Sequence, residues 1–553
     1  MQELTIQLAW NRLLAIVEQQ AQVLMRTAFS TVVREAGDLS AGVFNLQGDM
    51  LAQAVTGTPG HVNSMAAAVG KFLARYPLAG LAPGDVLMTN DPWDGTGHLN
   101  DFTVVTPVYK QGRCVALFAS TSHIADVGGR GFGPDANDVF EEGIRIPISF
   151  LFQHGEANAA LLDVLLANVR DPVVAQGDLY SLAACNDAGG VALLEMLDDL
   201  GMNDLEDLGS IILQRSRDAM LAEIRRLPEG EYRYAMTIDG YDEPVQLCAS
   251  LTVSAGGIAI DFSGTSPVSA KGINVPLSYT QAYASFGVRC LVGNEIPNNA
   301  GSLGVIKVTA PEGSLVNAPP PRAVSARHSI GQMLPDVVLG ALHQILPAAC
   351  PAEGASCIWN PVFMSSLVGE GVNAAVDEFV INPIFNGGTG ARPHKDGLST
   401  TAFPSGVRTT STEVNEATSP LVIRRKEFTP DSGGAGALRG GLGETVEIEH
   451  RQGAPFVISK MFDRIVHPAR GRDGGEDGAP GAVYLLDVQG ERTDLPGKGR
   501  DVVPGGSRLI LQTPGGGGVG NAQDRASHLI QYDLDHGLVY EARAESDTMS
   551  LND

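Results

Sequence analysis

Basic residues are scarce in this chain. Lys and Arg number 38 against 63 Asp and Glu, for a formal net charge of −25. That balance argues against nucleic acid, where Lys and Arg on phosphates supply most of the affinity, and against anionic membranes. Cysteine is rare too: six in 553 residues, with no CxxC pair. Scattered thiols in so long a chain exclude a disulfide framework and read as reduced and mostly buried. No apolar run reaches the ~18 residues of a transmembrane helix. The opening MQELTIQLAWNRLL lacks a basic stretch followed by an apolar run, so no signal peptide and a cytoplasmic location are expected. Nucleotide motifs are missing as well. There is no GxxxxGK[ST] and no GxSxG. A GxGxxG match at Gly515, Gly517 and Gly520 precedes a poor Rossmann helix and arises readily where glycine is this dense.

Glycine is what the chain has in excess, 66 of 553 residues, against a usual ~7%. No Gly-X-Y period accompanies it, which excludes collagen. The hydrophobic fraction of 44% suits an ordinary globular protein, and the length allows about three to five domains.

Apolar residues at helical spacing predict a helix over 3–28, among them Leu13, Val17 and Leu24. Strand-like text follows over 31–58, with a turn at Gln47-Gly48-Asp49. A second helix is expected from about Val62 to Tyr76, stopping before Pro77. Two apolar strands, 102–109 and 114–123, flank Lys110-Gln111-Gly112-Arg113 and read as a short hairpin. Residues 157–226 read as mostly helical, and strands dominate from 231 on. The apolar stretch 329–346 reads as one helix kinked at Pro335. The acidic C-terminal tail is expected to fray. The fold class is therefore α+β in several lobes: a helix-rich N-terminal part, 1–228, carrying the hairpin; a mixed middle region, 229–380; and a Gly-rich β region, 381–553.

The chemistry gathers at the open end of that hairpin. With the turn centred near residue 111, His123 faces residue 99, within one or two positions of both His98 and Asp101. Two imidazoles and one carboxylate with open positions are a common set for zinc, manganese or non-haem iron. Gly95, Gly97, Gly128 and Gly129 flank the set and let backbone approach closely. Asp91, Asp94 and Asp126 are placed to orient the ligands. The same residues could equally be a polar hairpin mouth bonded to its loops. Asp38, just before a strand, projects into a site or caps a turn. His61 begins a helix. His394, Lys395 and Asp396 sit in a Gly-rich loop, and His328 and His343 flank an apolar helix.

Ordered blocks along nearly the whole chain resemble the hydantoinase B/oxoprolinase family. They are REAGDLSAGVFNLQGDMLAQ (34–53), PGHVNSM (59–65), PGDVLMTNDPWDGTGHLNDFTVVTPV (83–108) and STSHIADVGG (120–129). ARHSIGQMLPDVVLGAL (326–342), GGTGARPHKDGLST (387–400), SGGAGALRGGLG (432–443) and TPGGGGVGNAQDRA (513–526) follow. The chain departs from the family pattern at Ala36 and Leu39, which bears on the shape of the pocket. The resemblance implies one divalent metal (Mn, Zn or Fe) on His98, Asp101 and His123, with Asp38 as a fourth ligand and His61 near the metal. It also implies a separate hydantoinase A-like subunit that uses ATP, so that this chain meets ATP only through its partner, in a homo- or hetero-oligomer. The substrate would be a small cyclic amide: a hydantoin, oxoproline or another lactam. Asp126 is then the expected proton acceptor, or else the group that orients His123. Two alternatives stand beside this: a subunit of an ATP-dependent ketone carboxylase resembling acetone carboxylase, and a non-catalytic scaffold. Under the enzymatic reading the glycine clusters at 95–97, 128–133, 387–390, 433–443 and 515–520 are expected to wall one deep site.

Overall fold

The structure is a computed structural model that describes residues 2–56, 58–365 and 379–540. It is mixed α+β, as the sequence predicts, and divides into two units that each use several stretches of chain. The first comprises Met1–Phe132, Ala136–Tyr234 and Cys248–Arg327; the second comprises Gly133–Asp135, Ala235–Leu247 and His328–Asp553. This division cuts across the three consecutive regions read from the sequence. Residues 541–553 of the acidic tail lie outside the described residues.

The first unit is built on a seven-stranded sheet. Its strands are β1 (Leu39–Phe44), β2 (Met50–Gln53), β3 (Val86–Thr89), β4 (Asp101–Lys110), β5 (Arg113–His123), β6 (Ser149–Gln153) and β7 (Glu156–Ala157), in the order β2-β1-β5-β4-β3-β6-β7. Both faces of its centre are covered, so β4 and β5 read as unbroken apolar runs. Ala116 and Phe118 join the core of the helices Glu3–Thr27 and Pro172–Asp199. Leu117 and Ala119, on the opposite face, join the core of the helix Pro59–Arg75. The helix Glu3–Thr27 buries Ile6, Ala9, Leu13, Val17, Ala21 and Leu24, spaced three and four apart along one stripe. Pro59 sits in the first turn of its helix, where no N–H is needed and its fixed φ suits the start.

The β4–β5 hairpin closes through Gln111 at φ 51° and Gly112 at φ 80°, the pair of positive values that a two-residue turn of this hand requires. A register shift between Val108 and Tyr109 displaces the pairing, so Asp101 itself faces His123. The symmetric estimate put residue 99 there.

The second unit holds a four-stranded and a five-stranded sheet among the described residues. They enclose a core that includes Trp359, Phe363, Phe385, Phe456 and Phe462. The single kinked helix expected over 329–346 is instead two pieces, His328–Gly331 and Leu334–Leu342. Pro335 occupies the first turn of the second piece. It begins a helix there, where its missing N–H would have no intrahelical partner and its fixed φ suits the start.

The glycine clusters of the second unit are not turns. Gly388, Gly434, Gly441, Gly516 and Gly518 lie in extended segments packed backbone to backbone. A Cβ on Gly516 would meet the Thr389 carbonyl oxygen at 1.9 Å, and one on Gly388 would meet that of Gly441 at 1.8 Å. The segments are tied together by Gly441 N–H to Thr389 O, Gly516 N–H to Gly441 O and Gly434 N–H to Gly516 O, at 2.8, 3.0 and 2.8 Å. Chains this close leave no room for any side chain.

Candidate metal centre

All the residues of the candidate centre belong to the first unit. Asp101 starts β4, His123 ends β5, and His98 lies three residues before Asp101. His98, Asp101 and His123 form the one group of His, Cys, Asp and Glu side chains among the described residues able to surround a metal ion, with donor atoms within 4.8 Å of one another. All three are buried, as are His61 and Arg327. The rings of His98 and His123 both stand edge-on to Phe132, at 5.6 and 5.0 Å between centroids, so an apolar wall backs the two imidazoles.

The two oxygens of Asp101 face different partners. Oδ2 accepts from Thr96 Oγ1 at 2.8 Å, from His61 Nε2 at 2.9 Å and from the Arg327 guanidinium. Oδ1 faces His98 Nε2 at 2.7 Å and His123 Nδ1 at 3.4 Å. Burial pushes the Asp101 carboxyl up, but His61, His98 and Arg327 outweigh it and hold the group well below its ordinary range. Gly97, at φ +102°, brings Arg327 in: a Cβ there would meet Arg327 Cδ at 2.7 Å. The guanidinium also stacks on Tyr279, 4.0 Å from the ring centre, and its Nε donates to Thr96 O at 2.9 Å.

His98 carries the decisive detail. Burial and the Arg327 charge push its imidazole down to about 4, so the ring is neutral at pH 7 and has one N–H. Nδ1 lies 2.9 Å from the Ser325 carbonyl, which can only accept, so the proton sits on Nδ1. Nε2 lies 2.7 Å from Asp101 Oδ1. With that nitrogen bare, two lone pairs would meet there, and a cation bound by both would relieve the conflict. Donors about 2.0–2.2 Å from a common ion lie roughly 3–3.5 Å apart, so an ion would open this pair by a few tenths of an ångström. The donor set therefore fits a divalent ion.

His61 and Asp38 adjoin this group. His61 Nδ1 lies 3.4 Å from Asp38 Oδ1, and the same Asp38 oxygen accepts from Thr58 Oγ1 at 2.7 Å. Burial lowers His61, but Asp101 and Asp38 more than compensate and hold it above its ordinary value. Asp38 thus meets the centre through His61 and is not one of the three clustered donors. Asp126 is not brought there at all. Its Oδ1 accepts from Arg170 Nη1 at 2.6 Å and from Gly128 N–H at 3.1 Å, and its Oδ2 accepts the Arg170 backbone N–H. Asp91 pairs with Arg145 at 2.7 Å and Asp94 with Lys71 at 3.6 Å, so neither orients a ligand.

Arg327, Thr96 and the Ser325 carbonyl are the site residues that spacing does not reveal. Arg327 stands in the ARHS block, where the neighbouring His328 drew attention; His328 counts with the second unit. Asp396, from the Gly-rich loop, pairs with Arg525 at 2.7 Å, and His343 with Asp473 at 3.2 Å. The backbone N–H groups of Gly515, Gly516, Gly517 and Gly518 all bond to protein carbonyls, so the GxGxxG match offers no donors to a phosphate.

The sequence model of the hydantoinase B/oxoprolinase family matches residues 2–522. The chain is 30% identical over 541 residues to 5-oxoprolinase 1 of Arabidopsis thaliana, covering 92% of this chain and 41% of that protein. It thus spans about two fifths of the length of the oxoprolinases it matches first. It is 26% identical to a protein of Pseudomonas sp. (strain NS671) named for the B component of a D-/L-hydantoinase, covering 98% of this chain and 94% of that one. The solved structure of the ATP-dependent caprolactamase from Pseudomonas jessenii superposes with a TM-score of 0.87 at 23% identity, covering 98% and 95% of the two chains, which shows a shared fold. No helix among the described residues is long and apolar enough to cross a membrane.

Proposed function

The chain belongs to the hydantoinase B/oxoprolinase family, and from that premise we propose that it is the metal-dependent B-type component of an ATP-dependent cyclic-amide hydrolase, acting with a separate ATP-using A-type subunit. The observation that carries the reading is the convergence of three buried donors, His98, Asp101 and His123, within 4.8 Å of one another. His98, Asp101 and His123 would hold one divalent ion, Mn, Zn or Fe. When bound, such an ion supplies Lewis acidity and brings the pKa of water toward ~7.

The chain's own residues do the rest. Thr96 and Arg327 fix Asp101 Oδ2, so Oδ1 keeps its direction. His61 donates its Nε2–H to Asp101 and presents Nδ1 to Asp38, which lets it hold a proton at Nδ1 while a ring amide opens. Asp38, with 17% of its side chain exposed, connects that proton to solvent. Asp126, with both oxygens occupied by the Arg170 segment, takes no part.

The test is elemental analysis of the purified chain, followed by assay with an A-type subunit on hydantoins, oxoproline and simple lactams. Metal in about one equivalent and phosphate release with ring opening are expected. Activity that survives His98→Ala and His123→Ala would return the chain to a scaffold. Bicarbonate-dependent consumption of a ketone would assign it to carboxylation instead.

A further inference from the structure

Glu142 lies outside every motif of the sequence, yet it is only 3% exposed. It ends the short helix Val139–Glu142, whose N-cap Asp138 accepts from Phe140 N–H and Glu141 N–H. Its Oε1 accepts the backbone N–H groups of Val324 at 2.6 Å and Ser325 at 2.7 Å. The Ser325 carbonyl in turn accepts His98 Nδ1–H at 2.9 Å. Two residues on, Arg327 bonds to Asp101 and to Thr96. One carboxylate therefore grips the stretch of backbone that supplies both the outer partner of His98 and the counter-charge of Asp101. Further bonds hold the same stretch on either side. Asn274 Nδ2 donates to Ala323 O at 2.9 Å, and Ala326 N–H donates to Gly272 O at 2.8 Å.

We propose that Glu142 is a positioning residue of the metal centre: by binding the N–H groups of residues 324 and 325 it aims the Ser325 carbonyl at His98 Nδ1, keeps the proton there, and leaves Nε2 bare for the ion. This rests on the metal-dependent reading above. Burial, opposed by the two N–H groups, pushes the Glu142 carboxyl up to about 8, and Oε1 is the oxygen that accepts from the loop. The second oxygen, Oε2, is buried without a hydrogen-bond partner, so a Gln there would bury an unsatisfied NH2 group or turn the wrong atom to the loop.

The experiment is a chelator-competition titration of the full-length protein with Mn2+ and with Zn2+, for wild type, Glu142→Gln and Glu142→Asp, with circular dichroism as the check on folding. Partners that orient a metal-binding imidazole typically contribute 10–100-fold in affinity. A loss of that size is expected for Glu142→Gln in a folded protein, and at least as much for Glu142→Asp, whose carboxylate falls short of the two N–H groups. A folded Glu142→Gln that binds as tightly as wild type overturns the proposal. Should the variants not fold, long-range 1H–15N correlation of the metal-free wild type, with His98 assigned through His98→Asn, decides. The proton on Nδ1 upholds the proposal and the proton on Nε2 overturns it. A wild type that takes up neither ion instead marks the failure of the metal reading itself.

Discussion

Replacing Gly516 by Ala isolates what the glycine-rich segments do. The residue has no positive φ, so its backbone suits Ala, and any cost must come from packing. The new Cβ would stand 1.9 Å from Thr389 O, 2.3 Å from Thr389 C and 2.7 Å from Gly390 N, all backbone atoms. Real Cβ contacts are essentially never closer than 3.0 Å, so the Thr389–Gly390 segment must move by about an ångström or more. That shift breaks or stretches Gly441 N–H to Thr389 O, Thr389 N–H to Leu398 O and Ala391 N–H to Gly517 O. Three backbone bonds at ~0.5–1.5 kcal/mol each, with ~1–3 kcal/mol for overpacking, come to about 2.5–7.5 kcal/mol. A folded domain has only ~5–15 kcal/mol in all. The control is Gly70→Ala in the helix Pro59–Arg75, where a Cβ meets nothing within 4 Å. That change should stabilise by about 0.5–1 kcal/mol. Urea unfolding of the two variants, followed by tryptophan fluorescence and by hydrogen exchange of residues 385–391, separates them. A Gly516→Ala protein with the wild-type midpoint and wild-type protection would refute the claim that close backbone approach explains these glycines.

Three further outcomes follow from particular contacts. Arg464→Met removes the cation that pairs with Asp336 at 3.3 Å and Glu353 at 3.2 Å, all three groups being fully buried. Arg470 still holds Glu353 at 2.7 Å, so the change strands Asp336 alone; that should cost ~3–5 kcal/mol in denaturant unfolding, and a neutral result would show that the pair is dispensable. Asp126→Ala should leave metal affinity unchanged and alter stability by under ~1 kcal/mol, because Arg170 is half exposed; a loss of bound metal would restore Asp126 to the centre. Burial, opposed by Lys426, pushes the Glu444 carboxyl up to about 7. The folded state then binds that proton more tightly than the unfolded chain does, so stability is greatest below pH ~4.5 for this group and is lost as pH rises to about 7. Glu444→Gln should flatten that part of the stability–pH curve, and an unchanged slope would count against the shift.

Legibility followed sequence distance and the directness of the pattern. The helix Glu3–Thr27 and the β4–β5 hairpin could be read because their signals are local: apolar spacing in the first, and two apolar runs around Gln111-Gly112 in the second. The hairpin even assembled His98, Asp101 and His123, missing the register by two positions: one because the turn centres between Gln111 and Gly112, one because nothing local announces the shift at Val108 and Tyr109. Arg327 and Glu142 could not be read. The first meets Asp101 across 226 residues and the second meets Val324 across 182, and neither contact leaves a periodic trace. Asp126 erred the other way. Nearness in sequence to His123 suggested a role, but Arg170, 44 residues on, claims its carboxylate. The glycines were legible as close approach and illegible as to what approaches, since a residue without a side chain carries no mark of its partner.

The division of labour within Asp101 connects these long-range contacts to chemistry. A lone buried carboxylate is free to rotate, protonate or take a metal through both oxygens. Here three donors hold Oδ2, from Thr96, His61 and Arg327, each from a different part of the first unit. Their joint effect is to keep the group ionised, as its depressed pKa records, and to leave Oδ1 as the one oxygen turned to His98 and His123. The Ser325 carbonyl performs the same task for His98 by fixing which nitrogen is bare. The hairpin thus brings the candidate donors together, and under the proposed reading the distant segment 324–327, gripped by Glu142, decides which atom of two of them would face an ion. A hairpin transplanted without that segment would keep the residues and lose the site.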